Sequence, residues 1–95
     1  MADRTLLVLD DDRPFLNRLA RAMERRGFEV TEAENVADGL VAVDAAPPAF
    51  AVVDMRLEDG NGLDVIRRLK EKRPDARAII LTGYGNIASA VTAVK

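Results

Sequence analysis

A chain of 95 residues, 48% of them hydrophobic, has enough apolar material for one modest core and none for a second domain. Its formal charge of -2 gives no basic excess with which these residues could hold nucleic acid, so any DNA contact needs another segment. Cysteine and histidine are absent, which excludes disulfides, thiolate chemistry and imidazole bases or ligands and leaves carboxylates, hydroxyls and lysines to carry any chemistry. The segment from Met1 to Thr5 is short and charged, and no run approaches membrane-spanning length, so a cytoplasmic protein is expected.

Thr5 to Leu9 is an unbroken apolar run, too short for a globular helix, that stops at Asp10, Asp11 and Asp12. It reads as a strand buried on both faces. Pro14 suits the first turn of a helix, and Phe15, Leu19, Ala22 and Met23 recur at helical spacing until Gly27. Phe28 to Ala33 makes a second, more polar strand, and Asn35 caps a helix carrying Val36, Leu40 and Val43 that ends before Pro47 and Pro48.

Phe50 to Val53 is again continuously apolar, and it too stops on an aspartate, Asp54, followed by turn residues from Glu58 to Gly62. Leu63, Ile66 and Leu69 mark the buried stripe of a third helix that Pro74 closes. A fourth strand, Ala78 to Leu81, ends at Thr82. Gly83 to Asn86 reads as a loop, and Ile87 to Val94 as the start of a fourth helix.

Apolar strands alternating with helices call for an open α/β fold, a parallel sheet covered on both faces by right-handed crossovers. In such sheets ligands bind beyond the carboxyl ends of the strands, where the winding reverses. Asp10, Asp11, Asp12, Asp54 and Thr82 all fall at those ends. Carboxylates gathered there repel one another, and a hard divalent cation with oxygen ligands relieves that repulsion, which points to Mg²⁺. Each residue has a plainer use when taken alone: Asp12 as a helix cap, Thr82 as a strand end, Gly83 and Gly85 as turn formers. Their joint placement favours a site.

The acidic group in LLVLDDD, the aspartate in AFAVVDMRLEDGNGL and the hydroxyl in AIILTGYG together resemble the receiver domains of bacterial two-component response regulators, over essentially the whole chain. The runs DMRLEDGNGLDV and LTGYGNIASAVTAVK resemble more narrowly the redox-responsive RegA, PrrA and ActR group. The resemblance implies a flavodoxin-like (CheY-like) doubly wound parallel sheet and a receiver domain spanning residues 1–95. It implies a non-enzymatic role in which Asp54 accepts a phosphoryl group from a phosphohistidine on a sensor kinase. Asp11, Asp54 and the main-chain carbonyl of Arg56 would hold Mg²⁺, with Asp10 assisting through water, and Thr82 would hydrogen-bond the phosphoryl group.

Two departures from the family stand out. Many receivers carry proline four residues after the acceptor; here Glu58 stands there, so a looser and more acidic loop is expected. The family's fifth strand, last helix, pocket lysine and switch aromatic would follow the helix on which this chain stops. The expectation is therefore a receiver truncated to about four βα units. Lys70, Lys72 and Lys95 lie on predicted helices and are not the pocket lysine, and Tyr84 follows the fourth strand and is not the switch aromatic. Such a truncation would bare the edge of the fourth strand and part of one sheet face, favouring a homodimer or an exchanged dimer, and a helix-turn-helix output would lie outside this chain. Two rivals remain. In a haloacid-dehalogenase-like phosphatase Asp10 would be the nucleophile and Asp12 the acid/base, leaving Asp54 without a role. In a binding-only pseudo-receiver the fold would serve as a dimerisation surface.

Overall fold

The computed structural model describes residues 3–82 and 90–94. In chain order they form β1 (Thr5–Leu9), α1 (Arg13–Arg25), β2 (Glu29–Ala33), α2 (Val36–Ala45) and β3 (Phe50–Asp54). A two-strand ladder follows, β4 (Arg56–Leu57) with β5 (Gly60–Asn61), then α3 (Gly62–Lys72), β6 (Arg77–Thr82) and β7 (Ala90–Val94). The main sheet runs β2-β1-β3-β6-β7, parallel through its first four strands. The order is that of the doubly wound fold expected from the sequence. The chain steps from β1 outward to β2 and then returns to the other side of β1 at β3, so the winding reverses between β1 and β3.

The unbroken apolar runs of β1 and β3 follow from burial on both faces. Leu7, Leu9, Ala51 and Val53 join Val43, Val65, Ile66 and Leu69 in a core under α2 and α3. On the opposite face Leu6 and Val8 pack with Leu16 of α1, flanked by Met23, Phe28, Phe50 and Val52. Each helix starts where its sequence says it should. Asp12 accepts from the Phe15 amide at 3.1 Å, Asn35 from Asp38 at 2.7 Å and Asn61 from Leu63 at 2.8 Å, each filling one of the orphan donors of a first turn. Beyond α1, the Arg4 guanidinium donates to the carbonyls of Arg26 and Gly27 and lies over the Phe28 ring, 4.6 Å from its centre. Among the described residues no helix is long and apolar enough to cross a membrane.

Three local expectations change. The segment after β3 is no open loop: Arg56 pairs with Asn61 and Leu57 with Gly60 around a turn at Glu58 and Asp59. The expected helix start at Ile87 to Val94 is overturned where it is described, because Ala90–Val94 runs antiparallel to β6 with Ala90 opposite Thr82 and Val94 opposite Ala78. The outer row of N–H and C=O groups on β6 needs partners, and the β-branched Val91, Thr92 and Val94 suit a strand that supplies them. The edge of β6 is consequently paired rather than bare. The loop reading at Gly83 to Asn86, with Tyr84, and the placement of Lys95 lie outside the described residues.

Candidate metal and phosphoryl-acceptor site

Parallel register brings the ends of β1 and β3 together. Leu9 pairs with Val53, so the residues that follow, Asp10 and Asp54, emerge side by side. The Asp10 amide donates to Ala33 of β2 at 3.1 Å, and the Met55 amide to Leu81 of β6 at 3.0 Å, so main-chain bonds tie both exits to neighbouring strands. The outcome is a cleft of about 370 Å³ bordered by Asp10, Asp11, Asp54, Arg56 and Leu81. One carboxylate oxygen from each of Asp10, Asp11 and Asp54 lies within 4.8 Å of the others.

The three acids are not equivalent. Asp10 is buried, at 7% exposure, Asp54 is half-buried and Asp11 is exposed. Burial pushes the Asp10 carboxyl up to about 6; the Asp12 amide, donating at 2.8 Å, opposes this, and the charges of Asp54, Asp11 and Asp12 add to it. Asp54 is also raised, first by burial and then by the charge of Asp11, against the stabilising amide of Arg56 at 3.3 Å. Two carboxylates thus resist ionisation beside each other, a tension that a cation relieves.

The donor set passes a simple test of fit. Oxygens held about 2.1 Å from Mg²⁺ lie at most about 4.2 Å apart, so a cluster already within 4.8 Å needs only a sub-ångström closure. Hard oxygen donors with no nitrogen or sulfur suit Mg²⁺ or Ca²⁺ and disfavour the softer transition metals.

The sequence-derived residues sort clearly. Asp10, Asp11 and Asp54 come together, with Arg56 at the rim as the first residue of β4. Thr82 ends β6 one residue past Leu81, the partner of Asp54. Asp12 borders the same cleft, and one of its carboxylate oxygens caps α1, as the plainer reading has it.

Sequence reasoning passed over two contributors. Gly62, noted only as a turn former, is the first residue of α3 and packs on the main chain of Asp54: a β-carbon there would overlap the Asp54 carbonyl oxygen and the Val53 side chain. Its amide donates to Met55 at 2.9 Å and closes the segment that follows Asp54. Asp59, also read as a turn residue, reaches back to α2, its two oxygens accepting from the amides of Val36 at 2.8 Å and Ala37 at 3.1 Å. Only the glycine-rich composition of the segment hints at the first, and nothing in local spacing signals the second.

Comparison with known proteins agrees with this geometry. The chain is 64% identical over 94 residues to the photosynthetic apparatus regulatory protein RegA of Cereibacter sphaeroides, covering 99% of this chain and 51% of that protein. It is 59% identical over 93 residues to the acid tolerance regulatory protein ActR of Rhizobium meliloti, covering 98% and 48%. The chain therefore spans about half the length of these relatives. Among solved structures, a response regulator from Burkholderia pseudomallei crystallised with a phosphorylated aspartic acid, a calcium ion and citrate superposes with a TM-score of 0.80 at 41% identity, covering 90% of this chain and 50% of that one. Residues 6–95 match the response regulator receiver domain, and with its acids placed at the reversal of a doubly wound sheet the chain belongs to that family.

Proposed function

We propose that the chain is a phosphoryl-accepting switch, in which Asp54 takes a phosphoryl group from a phosphohistidine of a sensor kinase while Asp11, Asp54 and the Arg56 carbonyl hold Mg²⁺ and Asp10 assists through water. The observation that carries the reading is the meeting of the Asp10, Asp11 and Asp54 carboxylates at the β1 and β3 ends. The phosphorylated aspartate and bound calcium of the Burkholderia pseudomallei protein support it by similarity.

The chemistry asked of these residues is modest. The Asp54 carboxylate must be ionised to attack phosphorus, and its half-buried place beside Asp11 works against ionisation until positive charge arrives. Mg²⁺ held there by Asp11, Asp54 and the Arg56 carbonyl would supply that charge and offset the negative charge of the incoming phosphoryl group. The chain's own groups do the positioning: the Arg56 amide holds one Asp54 oxygen, and the Met55 and Gly62 amides fix the segment behind it. Thr82, at the end of the neighbouring strand, is assigned the new phosphoryl group as a hydrogen-bond acceptor, and that contact biases the following segment. On this reading the protein is a substrate and switch of a kinase rather than an enzyme in its own right, and it works in the cytoplasm.

A DNA-binding output belongs to a segment outside these 95 residues, in keeping with regulatory relatives about twice as long. Self-association is assigned to the α1 side of the sheet, where Leu6, Phe28, Phe50, Val52 and Ile79 border an open apolar groove of about 670 Å³ and Ile79 is 39% exposed. A stable monomer at high concentration, by light scattering, would contradict that assignment.

The test of the central reading is uptake of phosphate label from a small phosphodonor. Uptake should require Mg²⁺, vanish in Asp54→Asn and need at least about tenfold more Mg²⁺ in Asp11→Asn. Uptake that ignores chelator would overturn it.

A further inference from the structure

The β4–β5 turn is fixed by a contact that reaches across the fold. Asp59 sits at its tip, and both of its carboxylate oxygens accept main-chain amides at the start of α2, residues 22 and 23 positions earlier in the chain. These are the first two N–H groups of the helix; Asn35 takes the third, from Asp38, through its side chain. Val36 itself is buried and comes within 3.5 Å of the β-carbon position of Gly60, so the turn meets the helix through packing as well as through hydrogen bonds. At the other end of the same short ladder stands Arg56, whose amide holds Asp54.

Glu58 occupies the place where a proline would stiffen this segment, and stiffness is needed there because Arg56 and Asp54 lie only two and four residues away. The structure shows where restraint comes from instead: a turn anchored to a helix end. Proline is commonly favoured at the place Glu58 holds in the turn. Glu58 is the first residue of a two-residue turn, and neither it nor Asp59 has a positive φ, the unusual angle of 153° falling on Gly60.

We infer that Asp59 is a positioning residue for the metal and acceptor site, holding the β4–β5 turn on α2 so that Arg56 and Asp54 keep their geometry, and replacing the restraint a proline would give at residue 58. The inference rests on the Mg²⁺ reading above. It also makes the start of α2 part of the site's support, so a perturbation of the Val36 and Ala37 amides reaches Asp54 through the Asp59 side chain.

The test separates positioning from helix capping and from charge. In Asp59→Ala, Mg²⁺ affinity measured calorimetrically should fall about tenfold. The amide resonances of residues 55–62 in the metal-free protein should shift or broaden. Adding Glu58→Pro to Asp59→Ala should restore the affinity to within about twofold of wild type and sharpen those resonances. That double variant still lacks the bonds from Val36 and Ala37 to residue 59 and has lost two negative charges, so neither capping by Asp59 nor charge accounts for a recovery. Asp59→Asn, which keeps one acceptor oxygen, should fall between wild type and Asp59→Ala and serves if the alanine variant does not fold. Unchanged affinity in Asp59→Ala, or an affinity loss that Glu58→Pro does not repair, overturns the inference. A wild-type protein that binds no Mg²⁺ overturns the metal reading beneath it, a result seen before any variant is compared.

Discussion

Replacing Asp10 by asparagine should stabilise the metal-free protein at neutral pH while weakening its metal site. Asp10 is buried, and its carboxyl, ordinarily ionising near 3.8, is pushed up to about 6 by that burial and, against the Asp12 amide, by the charges of Asp54, Asp11 and Asp12. Between those values the folded chain keeps a proton that the unfolded chain has released. Stability is therefore fully present below the unfolded value and is lost as pH rises through about 6. The rise from 3.8 to about 6 corresponds to at most about 3 kcal/mol at pH 7 and above. Asparagine removes that ionisation and retains the oxygen that accepts from the Asp12 amide at 2.8 Å. Urea unfolding in the presence of chelator should show Asp10→Asn more stable by about 1 to 3 kcal/mol near pH 7.5 and nearly equal to wild type near pH 4. Heating should show a midpoint higher by about 4 to 8 °C for each kcal/mol. Some decline with pH will persist in the variant, because Asp54 is raised in the same sense. Mg²⁺ should narrow the gap by binding the wild-type site. A variant no more stable than wild type near pH 7.5, or one equally stabilised near pH 4, would refute the electrostatic reasoning.

Gly62→Ala should destabilise the chain by about 3 kcal/mol and reduce phosphate uptake, since the added methyl group meets the main chain of Asp54; denaturant melts and label uptake check both. Leu69→Ala, at a fully buried position on the inner face of α3, should cost about 2 to 5 kcal/mol in the same melts, and a smaller loss would mean that the core closes around the gap. Arg4→Ala removes two bonds to carbonyls beyond α1 and a contact with the Phe28 ring, and should cost about 1 kcal/mol without altering Mg²⁺ affinity.

The parts of the fold legible in the sequence were those in which burial leaves an unmistakable pattern. Leu6 to Leu9 and Ala51 to Val53 are apolar at every position because both faces of β1 and β3 are covered, so an aspartate directly after each run stands out as a site residue. Asp12 and Asn35 could be placed as caps because capping is local chemistry. The β4–β5 ladder could not, since two-residue strands carry no periodicity, and the reach of Asp59 to α2 depends on tertiary proximity across more than twenty residues. Gly62 was visible as a glycine, but its close approach to Asp54 becomes apparent only once β3 and α3 are packed. Ala90–Val94 reads locally as helix as readily as strand, and the unpaired edge of β6 decides it. The absence of proline at residue 58 suggested a loose segment, whereas the bonds from Val36 and Ala37 to Asp59 restrain it from outside.

The central claim is that the aspartate ending β3, and not the acids ending β1, receives the phosphoryl group. Exposure to a small phosphodonor and Mg²⁺, followed by reductive trapping of the acyl phosphate and peptide mass spectrometry, tests it directly. The trapped residue should be Asp54, with none recovered from Asp54→Asn; trapping at Asp10 would contradict the claim and restore the phosphatase reading.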